Sequence, residues 1–73
     1  MTEREITFTT ITSDPRWTVI RGEVIGSNGR TYVTERTAGR PTLLERFPEM
    51  EERYRDGIRR YLRHRLLEDG AWY

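Results

Sequence analysis

The dipeptide Asn28-Gly29, which lies between two runs of β-branched and aromatic residues, restricts the fold of this 73-residue chain more than any other feature. A two-residue type I′ turn needs positive φ at both central positions, and Asn-Gly is a pair that readily adopts this conformation. The sequence therefore predicts a tight antiparallel hairpin with strands at about 17–25 and 30–37.

The register of this hairpin distributes apolar side chains over both faces of the predicted sheet. If Asn28 and Gly29 are the two central residues of the turn, Ile25 faces Tyr32 across the hairpin. A bulge at Gly22 would shift the phase of the strand and bring its large side chains to one side. Alternatively, a helix covers one face and another molecule covers the other, which would make the sheet an interface. The faces would carry Trp17, Val19, Ile25 and Tyr32 on one side, and Ile20, Val24 and Val33 on the other.

A further strand and a helix complete the predicted fold. Residues 6–12 alternate in the period-two pattern of a strand, and residues 13–16 form a turn. Apolar residues then recur at spacings of three and four, which predicts an amphipathic helix at about 42–69. We expect an α+β fold in a single domain of residues 1–73: a small three-stranded antiparallel sheet (β-β-β), followed by one long C-terminal helix packed on one face.

Several residues mark the course of this helix. Thr42 and Glu45 have the spacing of a capping box, which predicts the helix start. Pro48 would interrupt the helix, so we expect a break and a restart there. Gly57 lies beside the apolar stripe and predicts a close approach of the helix to the sheet or a bend. Gly70 predicts the C-terminal stop.

The composition narrows the classes of function. The absence of cysteine excludes disulfides, cysteine-based zinc sites and thiol catalysis. Thirteen basic and twelve acidic residues give a net charge of +1, which argues against binding of polyanions by bulk charge. No segment resembles a signal peptide, and no apolar stretch approaches the roughly 20 residues that span a bilayer. We therefore expect a soluble, cytoplasmic protein that does not associate with membranes.

The predicted helix has an arginine-rich face that forms a candidate binding site. Residues 53–65 contain six arginines and one acidic residue. Arg59 with Arg63 and Arg60 with His64 are like-charged pairs that helix stability does not explain. They predict a site for nucleic-acid phosphates or for an acidic protein surface. A solvated face is the alternative, because acids near the start and bases near the end of a helix suit its dipole.

Aromatic and apolar residues supply further candidates for contact with a partner. Trp72 and Tyr73 are of residue types that are enriched at binding hot spots. Alternatively, Trp72 folds back to close a thin core. Tyr32, among the arginines of the third strand, and Ile25, on the second face of the sheet, are the remaining candidates.

Residues with catalytic chemistry are scarce in this chain. His64 is the single histidine, and no nucleophile, base and orienting group can be assembled. The sequence has no P-loop, no Gly-x-Gly-x-x-Gly pattern and no metal-ligand spacing. We expect no enzymatic activity, no cofactor, no metal and no small-molecule substrate.

The favoured hypothesis is a small non-enzymatic protein that binds another protein, as an accessory or inhibitor protein. Chains of this size and composition include the small counter-defence inhibitors of phages, although no motif connects this chain with one family. A homodimer formed through the second sheet face belongs to the same hypothesis, since small folds often gain stability by association. The alternative is a nucleic-acid-binding module that uses the arginine-rich helix face or the hairpin.

Overall fold

A three-stranded sheet followed by two helices forms the fold in the computed structural model, which describes residues 5–14 and 16–72. The sheet is antiparallel in the order β1-β2-β3. These findings confirm the predicted α+β class, and the boundaries of the elements differ by at most two residues from those predicted. The elements are β1 (Thr7–Asp14), β2 (Trp17–Ile25), β3 (Thr31–Gly39), α1 (Pro41–Arg46) and α2 (Pro48–Glu68).

The break between the two helices occurs at Phe47, whose φ of −129° and ψ of 72° are not helical. Pro48 then opens α2, as predicted. The predicted capping box at Thr42 is wrong, because α1 begins one residue earlier and its N-cap, Arg40, makes no side-chain cap hydrogen bond. Pro41 takes the first helical position, where its fixed φ suits the helix and its missing N–H costs nothing.

The core lies between the inner face of the sheet and one stripe of α2, which packs on β2 and β3. Side chains of β2 alternate between buried and more exposed along the whole strand. Of the two alternatives for β2, the bulge at Gly22 is not formed, since β2 pairs in continuous register with β3 from Val19 to Ile25. The largest buried apolar side chains of the core are Ile20, Ile58, Leu62 and Leu66.

Two glycines differ from their predicted roles. A Cβ atom placed on Gly22 would overlap the side chain of Ile58, so this glycine is what allows α2 to approach the sheet closely. Gly57 was the residue predicted to allow that approach or a bend. It is exposed instead, a Cβ atom there would meet nothing within 4 Å, and α2 continues through it. The close approach is therefore provided by the sheet and not by the helix.

The hairpin register differs by one residue from the prediction. Val24 pairs with Tyr32, and Ile25 pairs with Thr31. The predicted pairing of Ile25 with Tyr32 is therefore wrong, and these two side chains lie on opposite faces of the sheet. The outer face, turned away from α2, carries Ile25, whereas Tyr32 is buried in the core.

The loop between β2 and β3 explains this shift. Gly26 donates its N–H to the Arg30 carbonyl at 2.8 Å, and Gly29 donates to the Gly26 carbonyl at 3.0 Å. Among the described residues only glycines have positive φ, with 82° at Gly29, so Asn28 does not adopt the type I′ conformation. The result is a three-residue loop, in which a turn is followed by one left-handed glycine.

The C-terminal tail closes the fold against this loop. Gly70 has a φ of +64°, and its N–H and that of Ala71 donate to the carbonyls of Leu67 and Leu66 at 3.2 and 2.7 Å. This is a Schellman motif, and it confirms Gly70 as the helix stop. The Ser27 N–H in turn donates to the Ala71 carbonyl at 2.9 Å. The tail thus becomes a backbone partner of the hairpin loop.

Candidate binding groove

A groove of about 450 Å³ separates the inner face of β1 from α2. It exists because α2 packs mainly on β2 and β3, which leaves the inner face of β1 partly uncovered. The strand side, the helix side and the tail all contribute to it. Its lining residues are Glu5, Ile6, Phe8, Arg59, Arg60, Arg63 and Trp72.

The Phe8 ring lines this groove, and two arginine side chains of α2 make cation–π contacts with it. The guanidinium carbons of Arg55 and Arg59 lie 5.6 and 4.9 Å from the centre of its ring. Arg59 also donates to Glu52 at 3.0 Å and to Asp56 at 2.6 Å. The bond to Glu52 is the main cause that raises the pKa of Arg59, and Asp56 adds to it. Arg59 therefore has acidic partners on its own helix, and the expectation that its placement has no structural reason is wrong.

Arg60 and Arg63 differ from Arg59 in their charge environment. Both are exposed, and neither forms an ion pair with another residue within the described ranges. The Arg63 guanidinium carbon lies 5.5 Å from the centre of the Trp72 ring. Two positive charges without acidic partners therefore face a groove that also has aromatic walls, a combination suited to carboxylate or phosphate ligands.

Trp72 is partly buried and packs against the core, so the tail folds back as the alternative interpretation expected. One part of its ring contributes to the core, and another part lines the groove. Tyr73, the other aromatic residue predicted to contact a partner, lies outside the described residues.

His64 and Tyr32 lie outside the groove. The His64 side chain is exposed, and its Nε2 atom is 2.9 Å from Glu68 Oε1. The Tyr32 hydroxyl donates to Asp69 at 2.6 Å and accepts a hydrogen bond from the Asn28 amide at 2.9 Å. Tyr32 is therefore a buried residue that links the hairpin to the end of α2, and not an exposed contact residue.

Of the hairpin arginines, Arg30 lines a second pocket together with Tyr32, Tyr61 and Arg65, whereas Arg36 is directed toward α2. Arg36 donates to the Thr34 hydroxyl at 2.7 Å and to the Glu35 carbonyl at 2.8 Å. Its guanidinium lies 5.2 Å from the Tyr61 ring of α2, so it points toward the helix. The hairpin thus contributes Arg30 to a basic and aromatic pocket, and nucleic-acid binding by the hairpin stays a prediction.

Phe8 and Ile6 are groove residues that the sequence did not identify as functional. Their alternation did place both on one face of the first strand, which is a usable signal. The alternation does not reveal the lateral position of α2 on the sheet. That position decides which strand is left uncovered, and therefore which residues line the groove. Glu5 was not identified either, since it precedes the strand.

The described residues contain no group of three or more His, Cys, Asp or Glu side chains that could hold a metal ion. Within those same ranges, no helix is long and apolar enough to cross a membrane. Comparisons with protein-family models, curated proteins and solved structures find no match for this chain.

Proposed function

We propose that this protein acts without catalysis, as an accessory or inhibitor protein that binds an extended acidic segment of another protein in the groove between β1 and α2. The observation that carries the proposal is the pair Arg60 and Arg63, whose charges lack acidic partners in the described part of the chain. They lie beside the partly buried rings of Phe8 and Trp72. Guanidinium groups bind carboxylates through two parallel hydrogen bonds, which gives both affinity and orientation.

Arg60 and Arg63 outnumber Glu5 in the lining of the groove, and this small excess of positive charge favours an acidic protein segment over a nucleic acid. Two arginines without partners would release few counterions from a polyanion, and the net charge of the chain is only +1. The aromatic rings are also occupied, since Arg55 and Arg59 lie over Phe8 and Arg63 lies over Trp72. Bases that stack on these rings would have to displace the arginines.

The position of β1 favours an extended conformation for the bound segment. β1 is an edge strand that pairs only with β2 in the described sheet. Its outer edge presents backbone N–H and C=O groups, to which an added strand can bond. Alternate side chains of such a strand would point over Phe8 toward the arginines of α2.

Fluorescence anisotropy with three labelled probes tests this proposal. The probes are a short peptide of alternating glutamate and valine residues, the same peptide with lysine in place of glutamate, and a short oligothymidylate. We expect the acidic peptide to bind and the lysine peptide not to bind. The double variant Arg60→Glu with Arg63→Glu should weaken binding at least about tenfold, because hydrogen bonds between charged groups contribute about 1.5–3 kcal/mol each.

The control is Arg53→Glu, a single substitution of the same kind on α2 outside this groove, to be compared with Arg60→Glu and Arg63→Glu made singly as well as together. It should leave peptide binding unchanged. Tighter binding of the oligothymidylate than of the acidic peptide, with a steep loss as salt rises from about 50 to 200 mM, would overturn the proposal in favour of a nucleic-acid-binding module. Failure of all probes to bind would overturn it as well.

A further inference from the structure

The outer face of the sheet carries large apolar side chains that no described element of the chain covers. Trp17 is 49% exposed, Ile25 59% and Val33 41%. Both helices follow β3, and α2 packs on the opposite face. Ile25 and Val33 are diagonal neighbours at one end of this face, and Trp17 lies at the other end, so a partner that covers the face would bury apolar groups at both ends.

Charged groups without partners lie in the middle of the same face. Arg21 pairs in register with Glu35 and is two residues from Glu23, so all three side chains project on this side. None of them forms an ion pair within the described ranges, and Arg21 Nε is buried without a hydrogen-bond partner there.

The order of these side chains along β2 makes the face complementary to itself. The outward residues of the strand are Trp17, Val19, Arg21, Glu23 and Ile25. A two-fold axis at the level of Gly22, with the two β2 strands antiparallel, places Arg21 opposite Glu23 of the second copy. The same operation places Val19 opposite Ile25 of the second copy. Each contact then occurs twice, as a symmetric interface requires.

We infer that the outer face of the sheet is a homodimer interface, covered by a second copy of this chain in that antiparallel arrangement. The complementarity along β2 selects this occupant, since on that strand Arg21 meets an acid of the copy and Val19 meets an apolar side chain. On β3 the same axis crosses at Thr34 and places Glu35 opposite Val33 of the second copy. Two sheets packed face to face in this way lie about 10 Å apart, and the side chains between them interdigitate. The inference is independent of the groove, which lies on the other side of β1.

Sedimentation equilibrium of the full chain tests the interface through charge exchange. We expect the wild-type protein to dimerise. Arg21→Glu and Glu23→Arg should each raise the dissociation constant of the dimer at least about tenfold, because each places like charges together at two symmetric positions. The double variant that carries both changes should return the constant toward the wild-type value.

Arg53→Glu on α2 is again the matched control and should leave dimerisation unchanged, and circular dichroism of each variant reports that it is folded. A wild-type protein that stays monomeric at high concentration would overturn the inference. So would single exchanges without effect, or a double exchange that fails to restore the dimer, since either result means that Arg21 does not face Glu23 of the second copy.

Discussion

At Gly22, the absence of a side chain lets Ile58 of α2 lie directly on the central strand of the sheet. Gly57 has no such contact, although it is only one residue from Ile58 along the chain. The two glycines therefore differ in what a methyl group would meet: a filled core at one position and open space at the other. Their sequence neighbourhoods do not reveal this difference, because it depends on which residue of the helix faces which residue of the strand.

Substitution of these two glycines by alanine should have opposite effects on stability. Gly22→Ala is expected to lower the free energy of unfolding by about 2 kcal/mol, because the added methyl group overpacks the core against Ile58. Gly57→Ala is expected to raise it by about 1 kcal/mol, since alanine is the better residue in a helix interior. Urea denaturation followed by circular dichroism measures both, and a destabilised Gly57→Ala variant would contradict this view of α2.

At the scale of the elements, the pattern of neighbouring residues was sufficient to predict those features that depend on short-range interactions. The strands, the amphipathic helix, its interruption at Pro48 and its end at Gly70 all follow from residues close in sequence. The hairpin register did not, because Asn-Gly suits both a two-residue type I′ turn and a three-residue loop that ends in a left-handed glycine. In the folded chain the three-residue loop lies against the distant Ala71, to whose carbonyl Ser27 donates. Gly26 allows that approach, since a Cβ atom there would lie within 2.9 Å of the Ala71 Cβ atom. The longer loop is thus accompanied by a contact between distant parts of the chain.

The hydrogen bond between Tyr32 and Asp69 links two of these elements and can be tested directly. Tyr32→Phe is expected to lower the free energy of unfolding by about 1 kcal/mol, because Asp69 loses a donor and the Asn28 amide loses an acceptor. Tyr61→Phe is the matched control, since Tyr61 is largely exposed. Thermal unfolding of both variants gives the comparison, and equal effects would mean that the Tyr32 hydroxyl contributes nothing specific.

At the scale of the whole molecule, the arginines of α2 separate into groups that the sequence did not distinguish. Arg55 and Arg59 pair with acids one or two turns earlier, whereas Arg60 and Arg63 face the groove without acidic partners in the described chain. The sequence placed Arg60, Arg63 and Trp72, which line the groove, among its candidates, but it did not separate them from Arg59, which is paired with acids, and it did not include Phe8. Those assignments depend on the rotation and lateral position of the helix on the sheet, which are properties of the assembled core.

The groove and the outer sheet face are expected to act independently, because the sheet and α2 separate them. The double variant Arg60→Glu with Arg63→Glu should weaken binding of the acidic peptide without changing the dissociation constant of the dimer. Arg21→Glu should do the reverse. Anisotropy and sedimentation equilibrium on the same preparations measure both quantities, and a variant that changes both would show that the two surfaces are coupled.

The hydrogen bond from Ser27 to Ala71 also bears on how the protein is made. The hairpin consists of neighbouring residues and can pair early during synthesis, while α2 is still being translated. Its loop gains its last backbone partner only after residue 71 has left the ribosome. The closure therefore waits for the segment that ends in Ala71, and until it forms the apolar side of the nascent sheet is available to chaperones.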